Sequence, residues 1–195
     1  MTKYTPKKTK LVYGIGINDA NYAVRPTVNG KRARCNFYTV WNNMLGRCYS
    51  DLVHKIHPTY LGCTVASEWL LFSNFRAWME GQEWEGRSLD KDLLFQHNKV
   101  YSPSTCIFVT AEINTLLIDS AKSRGSLPLG VSIRRRNKYQ AQCTVHGKPR
   151  HLGYYDTPEE AHEVYKAFKY KHIAEVANQQ SEPLKTALLN YVIEG

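Results

Sequence analysis

The sequence predicts a mixed α+β protein whose carboxy-terminal part is a three-stranded antiparallel sheet packed on one helix. Three short segments separated by turns, GVSIRRR, KYQAQCTV and PRHLGYY, have the length and alternation of β-strands. The next segment opens with Thr157, Pro158 and Glu160, a combination typical of a helix start with a capping box. Apolar side chains at helical spacing, among them Ala161 and Tyr165, then supply a face that can cover the sheet.

The region before this sheet predicts helices. In FYTVWNNMLGRCY the apolar residues Trp41, Met44 and Leu45 fall on one helical face. The segment SEWLLFSNFRAWM resumes the helical spacing, and Ser67 is its predicted N-cap. A last helix is expected at roughly 183–193, in PLKTALLNYV.

Shifts in composition divide the chain into four parts. Residues 1–36 form a basic N-terminal arm, and residues 37–120 form a central domain. A stretch rich in Ser, Gly, Pro and basic residues makes 121–128 the predicted linker. Residues 129–195 then hold the predicted sheet, its helix and the last helix.

Positive charge is concentrated in two regions of the sequence. The 195 residues carry a net charge of +9, which is the sum of +7 in residues 1–34, −3 in residues 35–120, +7 in residues 121–172 and −2 in the tail after 172. The residues between them and the tail after 172 are mildly acidic. Segregated positive charge favours a polyanionic partner, because each Lys or Arg placed at a phosphate releases condensed counterions.

Several classes of protein are excluded by the same composition. Hydrophobic residues make up 43% of the chain, enough for a packed core. No apolar run approaches the length of a membrane span, and the basic N-terminus lacks the apolar segment of a secretory signal. We therefore expect a cytoplasmic protein with no membrane partner.

The five cysteines are single, and their odd number argues against a disulfide framework. Each is expected to be a small buried side chain. A zinc site would have to combine Cys48, Cys63 and Cys106 with His54 or His57, and this spacing does not favour zinc.

Strand alternation sorts the side chains of the predicted sheet onto two faces. Val131 and Ile133 point to one side, and the apolar positions of the second strand join them under the helix. The other side carries Arg and Gln, the side chains that pair with guanine and adenine edges in the major groove. The predicted DNA-binding residues are Arg134, Arg136, Lys138, Gln140, Gln142, Lys148, Arg150 and His151.

Residues 130–168 also resemble a known family, the APETALA-type DNA-binding domain of plant ethylene-response factors and of many phage and mobile-element nucleases. The resemblance implies a sheet of three strands that reads DNA and is backed by one helix. Tyr139 and His151 stand where the family often has Trp, so base preferences do not carry over. The matching residues are Gly130, Val131, Tyr139, Ala141, Leu152, Gly153, Asp156, Thr157, Glu160, Ala161 and Tyr165.

The segment from Tyr38 to Asn114 resembles phage and mobile-element proteins of the HNH, homing-endonuclease-like class. The segments that carry this resemblance are YTVWNNMLGRCY, YLGCTVASEWLLFSNF and LDKDLLFQHNKVYSPSTCIFVT. It implies an HNH-like fold of the ββα-metal type, a hairpin and helix around one divalent metal. An active member uses a His base and a metal held against the scissile phosphate.

Carried over by position, the HNH resemblance makes Asp90 the metal ligand and matches Asn98 to a loop Asn. Lys91 stands where the general-base His is expected, and Thr105 where a second ligand Asn is common. A lysine of ordinary pKa is protonated at neutral pH and cannot take a proton from water. His97 is the alternative base. Magnesium is therefore expected only if the protein cleaves DNA.

Three functions follow from these patterns. The first is a double-stranded DNA-binding protein of phage or mobile-element origin, with a degenerate HNH-like motif and a regulatory or site-occupying role. The second is an active metal-dependent HNH endonuclease of the homing type. The third is a phage inhibitor of a host defence protein, in which the basic surfaces bind an acidic partner. The sequence leaves enzyme activity, DNA target and oligomeric state open.

Overall fold

The computed structural model describes residues 10–117, 126–134 and 138–193 of the chain. The chain forms two compact units, Met1–Phe108 and Val109–Gly195. Most of the predicted linker at 121–128 lies outside the described residues and stays a prediction. In the described part of the chain, the model contains no helix with both the length and the apolar character needed to cross a membrane.

The first unit is built from three helices and short strands around an aromatic core. The strands pair as β1 with β2, β3 with β5 in parallel, and β4 with β6. The elements are β1 Thr27–Val28, β2 Lys31–Arg32, α1 Asn36–Tyr49, α2 Asp51–Ile56, β3 Thr64–Val65, α3 Phe72–Glu80, β4 Ser88–Asp90, β5 Val100–Tyr101 and β6 Ile107–Val109.

The helical spacing around Trp41 is confirmed, since Trp41, Met44, Leu45 and Cys48 are all buried on α1. The Trp41 indole Nε1–H donates to the Trp69 carbonyl oxygen at 2.7 Å. This bond satisfies the one polar group of a fully buried side chain.

The prediction that Ser67 caps the next helix is wrong. Residues 67–70 form a 3-10 turn, and α3 begins at Phe72 with Leu71 as its N-cap. The reason is a backbone pairing far along the chain. Ile17 N–H donates to the Leu70 carbonyl at 2.8 Å, and Phe72 N–H donates to the Ile17 carbonyl at 3.0 Å. Leu71 is held extended between these bonds, so the helix starts after it.

The second unit contains the expected three-stranded antiparallel sheet, in the order β7-β8-β9, with one long helix against it. Thr157 and Glu160 form the predicted capping box at the start of that helix. The small core between sheet and helix includes Val131, Ala141 and Ala161. The elements are α4 Ala111–Leu116, β7 Val131–Ile133, β8 Tyr139–Val145, β9 Lys148–Tyr155, α5 Pro158–Ala177 and α6 Leu184–Leu189.

All five cysteines are free thiols, and four of them are buried. Burial raises the pKa of the Cys48 and Cys106 thiols to about 12. Both therefore stay protonated at neutral pH and behave as small apolar side chains.

Candidate functional site

The sheet of the second unit has one face covered by α5, and among the described residues of that unit no other helix packs on the opposite face. Ser132 pairs with Gln140, which pairs with Tyr154, and Gln142 pairs with His151. Side chains directly opposite each other on antiparallel strands share a face. We call this set the open face, and it consists of Ser132, Arg134, Gln140, Gln142, Thr144, Pro149, His151 and Tyr154.

Polar side chains on the open face form a hydrogen-bonded row. Arg134 Nε–H donates to Gln140 Oε1, and Gln140 Nε2 lies 2.9 Å from His151 Nδ1. Because Arg is a donor only, the Gln140 amide nitrogen must be the atom that faces His151. That nitrogen donates to Nδ1, so neutral His151 carries its proton on Nε2. The row therefore leaves guanidinium N–H groups and one imidazole N–H available to a ligand.

An exposed aromatic ring extends this row. The Tyr154 ring lies 4.6 Å from the His151 ring, and Tyr154 is 59% exposed. Gln140, by contrast, is only 9% exposed beneath its neighbours. Gln140 is therefore the buried link that positions two more exposed side chains, Arg134 and His151.

A β-bulge decides which residues of β9 reach the open face. The register shifts between Ala141 and Gln142, so that Ala141 faces Gly153 while Gln142 faces His151. Simple alternation from His151 would place Gly153 on the open face. The bulge places Tyr154 there instead, as bulges commonly re-aim side chains. Gly153, at φ 135°, lies under the Tyr155 ring, where a Cβ atom would clash.

Two of the predicted DNA-binding residues lie on the opposite face. Lys148 pairs with Val145, and Arg150 pairs with the buried Cys143, on the side that α5 covers. The Arg150 guanidinium carbon lies 4.9 Å above the Phe168 ring of α5. The same alternation that places His151 on the open face sends both cations to the helix side.

The remaining two predicted DNA-binding residues are Lys138 and Arg136. Lys138 is exposed and forms an ion pair with Asp156. Arg136 lies outside the described residues. The structure thus brings together Arg134, Gln140, Gln142 and His151. It adds Tyr154, which sequence reasoning missed because the bulge has no sequence signal beyond Gly153.

The Asp90 turn in the first unit is the second candidate site. Asp90 Oδ1 accepts the backbone N–H groups of Asp92, at 3.0 Å, and of Leu93, at 2.8 Å. Burial raises the pKa of the Asp90 carboxyl above its ordinary value, and the Asp92 carboxylate raises it further. One carboxylate oxygen of Asp90 therefore holds the turn.

Lys91, at the position of the expected general base, is a buried cation with a fixed partner. It is 5% exposed, and its Nζ donates to Asp92 Oδ2 at 2.7 Å. The same nitrogen lies 5.9 Å from the centre of the Tyr101 ring. The Lys91 side chain is buried in this pair and the Asp92 side chain is half-exposed, so Lys91 is paired within its own turn.

Asn98 and Thr105 donate hydrogen bonds to backbone carbonyl groups, and His97 is exposed. Asn98 Nδ2 donates to the carbonyl oxygens of Lys91, at 2.6 Å, and of Val100, at 2.7 Å. Thr105 Oγ1 donates to the same Val100 carbonyl at 2.7 Å. His97 is exposed and has a left-handed backbone, with φ 66°. Asn98 and Thr105 therefore bind the loop together.

Within the described ranges, no three His, Cys, Asp or Glu side chains are grouped as a metal ion would require. Asp90 is flanked by the buried Lys91 cation, and its Oδ1 already accepts two backbone N–H groups. Asp90 belongs to no such group of three, so the described residues do not complete a metal site around it.

Comparison with known protein families, with curated proteins and with solved structures found no match to this chain. The functional interpretation therefore depends on the chemistry of the two candidate sites.

Proposed function

We propose that this protein binds double-stranded DNA through the open face of its carboxy-terminal sheet. The observation that supports this most is the row from Arg134 through Gln140 to His151, which holds donors in place on a face without carboxylates. Arg and Gln match the acceptor and donor edges of guanine and adenine in the major groove. A thin sheet whose other face is covered by one helix can enter that groove edge-on or face-on.

We propose further that the second unit is an APETALA-type domain. The three antiparallel strands, the long helix α5 and the capping box at Thr157 support this assignment. The open face would then supply base contacts, while phosphate contacts come from basic side chains around it.

For the first unit we propose an HNH-like scaffold of phage or mobile-element origin that has lost cleavage. This proposal is supported by the contacts of the side chains at the expected catalytic positions. Asp90 accepts backbone N–H groups of its turn, Lys91 pairs with Asp92, and Asn98 donates to the Lys91 carbonyl. The expected role is regulatory, through occupation of a DNA site.

Binding is tested first by selecting duplexes from a random library, because the target sequence is unknown. Fluorescence anisotropy on the selected duplex, over a range of salt concentrations, then measures affinity. Arg134→Ala and Gln142→Ala are expected to change which base is preferred at one position, at about 1–3 kcal/mol each. Lys171→Ala, which removes an exposed charge from α5, serves as the control. Equal loss on all sequences for the open-face variants would refute base readout.

Cleavage is tested separately with supercoiled plasmid in Mg²⁺ or Mn²⁺. The proposal expects no nicking above a protein-free control. Metal-dependent nicking that Asp90→Ala abolishes would replace the regulatory role with that of an active endonuclease. Failure to bind any duplex, together with capture of one acidic protein, would favour the inhibitor function.

A further inference from the structure

Strands β1 and β2 of the first unit form an antiparallel hairpin. Thr27 pairs with Arg32 and Val28 with Lys31, across the turn residues Asn29 and Gly30. Both turn residues have left-handed backbones, with φ 51° and 73°. This is the Asn-Gly combination that favours a tight two-residue hairpin.

The antiparallel pairing continues beyond the two short strands, on the side away from the turn. Ala33 N–H donates to the Pro26 carbonyl at 2.8 Å, and Cys35 N–H donates to the Val24 carbonyl at 3.0 Å. Both bonds keep the register of the hairpin, so the antiparallel ribbon spans residues 24–35.

The register gives the ribbon two different faces. Val24 and Cys35, one opposite pair, pack against the core of the first unit. The alternate pairs carry their side chains on the other side of the ribbon. We call this side the arginine face, and it consists of Arg25, Thr27, Arg32 and Arg34.

The arginine face carries three arginines and no acidic residue of its own. Residues 20–35 contain four basic residues and no Asp or Glu. Arg32 and Arg34 are exposed, and neither enters an ion pair among the residues that the structure describes. Arg25 is directly opposite Arg34, a like-charge pair that destabilises a hairpin. Its guanidinium carbon lies 5.5 Å from the centre of the Tyr38 ring.

We propose that the arginine face of residues 24–35 binds the phosphate backbone of duplex DNA, as a contact separate from the open face of the sheet. The proposal takes its ligand class from the proposed function. Side chains on one face of a strand repeat about every 7 Å, so the arginines of the ribbon present a row of charges to the phosphates. Phosphate contacts position a protein on the duplex and carry no sequence information, so this face is expected to contribute affinity and salt dependence without base preference.

The test is the salt dependence of binding to the selected duplex by the full chain. The slope of log K against log salt is negative, and each lost phosphate contact lowers its magnitude by about 0.9. Arg32→Ala/Arg34→Ala is therefore expected to lower the magnitude of the slope by about 1.8. Between 50 and 200 mM salt, the wild type then loses about twelvefold more affinity than this variant. The base preferences are expected to stay unchanged.

The matched control is Lys31→Ala/Lys55→Ala, which removes the same charge from two exposed positions off the arginine face. This control is expected to leave the slope unchanged within error. Arg32→Lys/Arg34→Lys keeps the positive charges and is expected to retain most of the wild-type slope. Thermal unfolding followed by circular dichroism verifies that each variant folds. If Arg32→Ala/Arg34→Ala does not fold, the triple variant Arg25→Ala/Arg32→Lys/Arg34→Lys takes its place. An unchanged slope in the arginine variant, or an equal fall in the control, would overturn the proposal.

The two proposals fail in different ways. If open-face variants leave base preference unchanged while the arginine variant lowers the slope, the ribbon contact stands and base readout by the sheet fails. If the open-face variants change preference and the arginine variant changes nothing, the sheet stands and the ribbon contact fails. No duplex binding at all refutes both.

Discussion

Replacing Gln140 by Leu tests whether the row on the open face is built for binding. The change keeps the volume of the side chain and removes its bonds to Arg134 and His151. Each of the two lost hydrogen bonds contributes roughly 0.5–1.5 kcal/mol to the free energy of unfolding, and their sum gives the expected loss of stability. Arg134 and His151 are exposed and regain water, so we expect the lower end, about 1 kcal/mol.

The loss of DNA affinity is expected to be larger than the loss of stability suggests. Without Gln140, Arg134 and His151 must be ordered on binding, at about 0.5–1.5 kcal/mol for each side chain. The affinity for the selected duplex then falls by about 1–3 kcal/mol, or roughly 5- to 160-fold. Anisotropy measures this fall, urea unfolding measures the stability, and Gln179→Leu, an exposed glutamine substitution beyond α5, is the control. An affinity within twofold of wild type would show that the row is purely structural.

Three further predictions concern stability. Asp90→Asn is expected to keep or raise the unfolding temperature at pH 7, because the raised pKa of the carboxyl means that its ionised form is disfavoured in the fold; a fall of more than a few degrees would contradict this. Gly130→Ala is expected to cost about 2–4 kcal/mol in urea unfolding, since the residue has φ 79° and a Cβ would overlap the Tyr165 ring; a loss below 1 kcal/mol would contradict it. Burial, and then the nearby Lys169 cation, lower the pKa of His172, so the unfolded chain binds the extra proton and stability should fall as the pH drops below about 6.5. In His172→Gln that fall should be smaller when unfolding is followed from pH 7.5 to 5, and an identical pH dependence would refute it.

The three strands and the long helix of the second unit were predictable because local signals agree with the packing. Alternation identified all three strands, and Thr157 with Glu160 identified the start of α5. Both signals act over a few residues, so no distant contact is needed to read them. The coarse fold class, α+β with a three-stranded antiparallel sheet, is confirmed for the same reason.

Features set by distant contacts could not be predicted. Leu71 is extended because Ile17 pairs with it, some fifty residues away in the chain. The bulge at Ala141 and Gln142 depends on how β9 packs, and it moves Tyr154 onto the open face. The central site is similar: the spacing of Asp90, Lys91 and Asp92 resembles a catalytic motif, but only the three-dimensional structure shows an Asx turn and an ion pair between the buried Lys91 and its neighbour Asp92.

The most direct measurement of the central proposal is a titration of the ¹⁵N-labelled protein with the selected duplex, followed by NMR. Contact through the open face predicts that the largest amide shifts in the second unit lie on β8 and β9, at Gln140, Gln142, His151 and Tyr154. The exposed side of α5, around Lys171 and Glu175, should change little. Largest shifts along α5, with the strands unperturbed, would contradict DNA binding through this face.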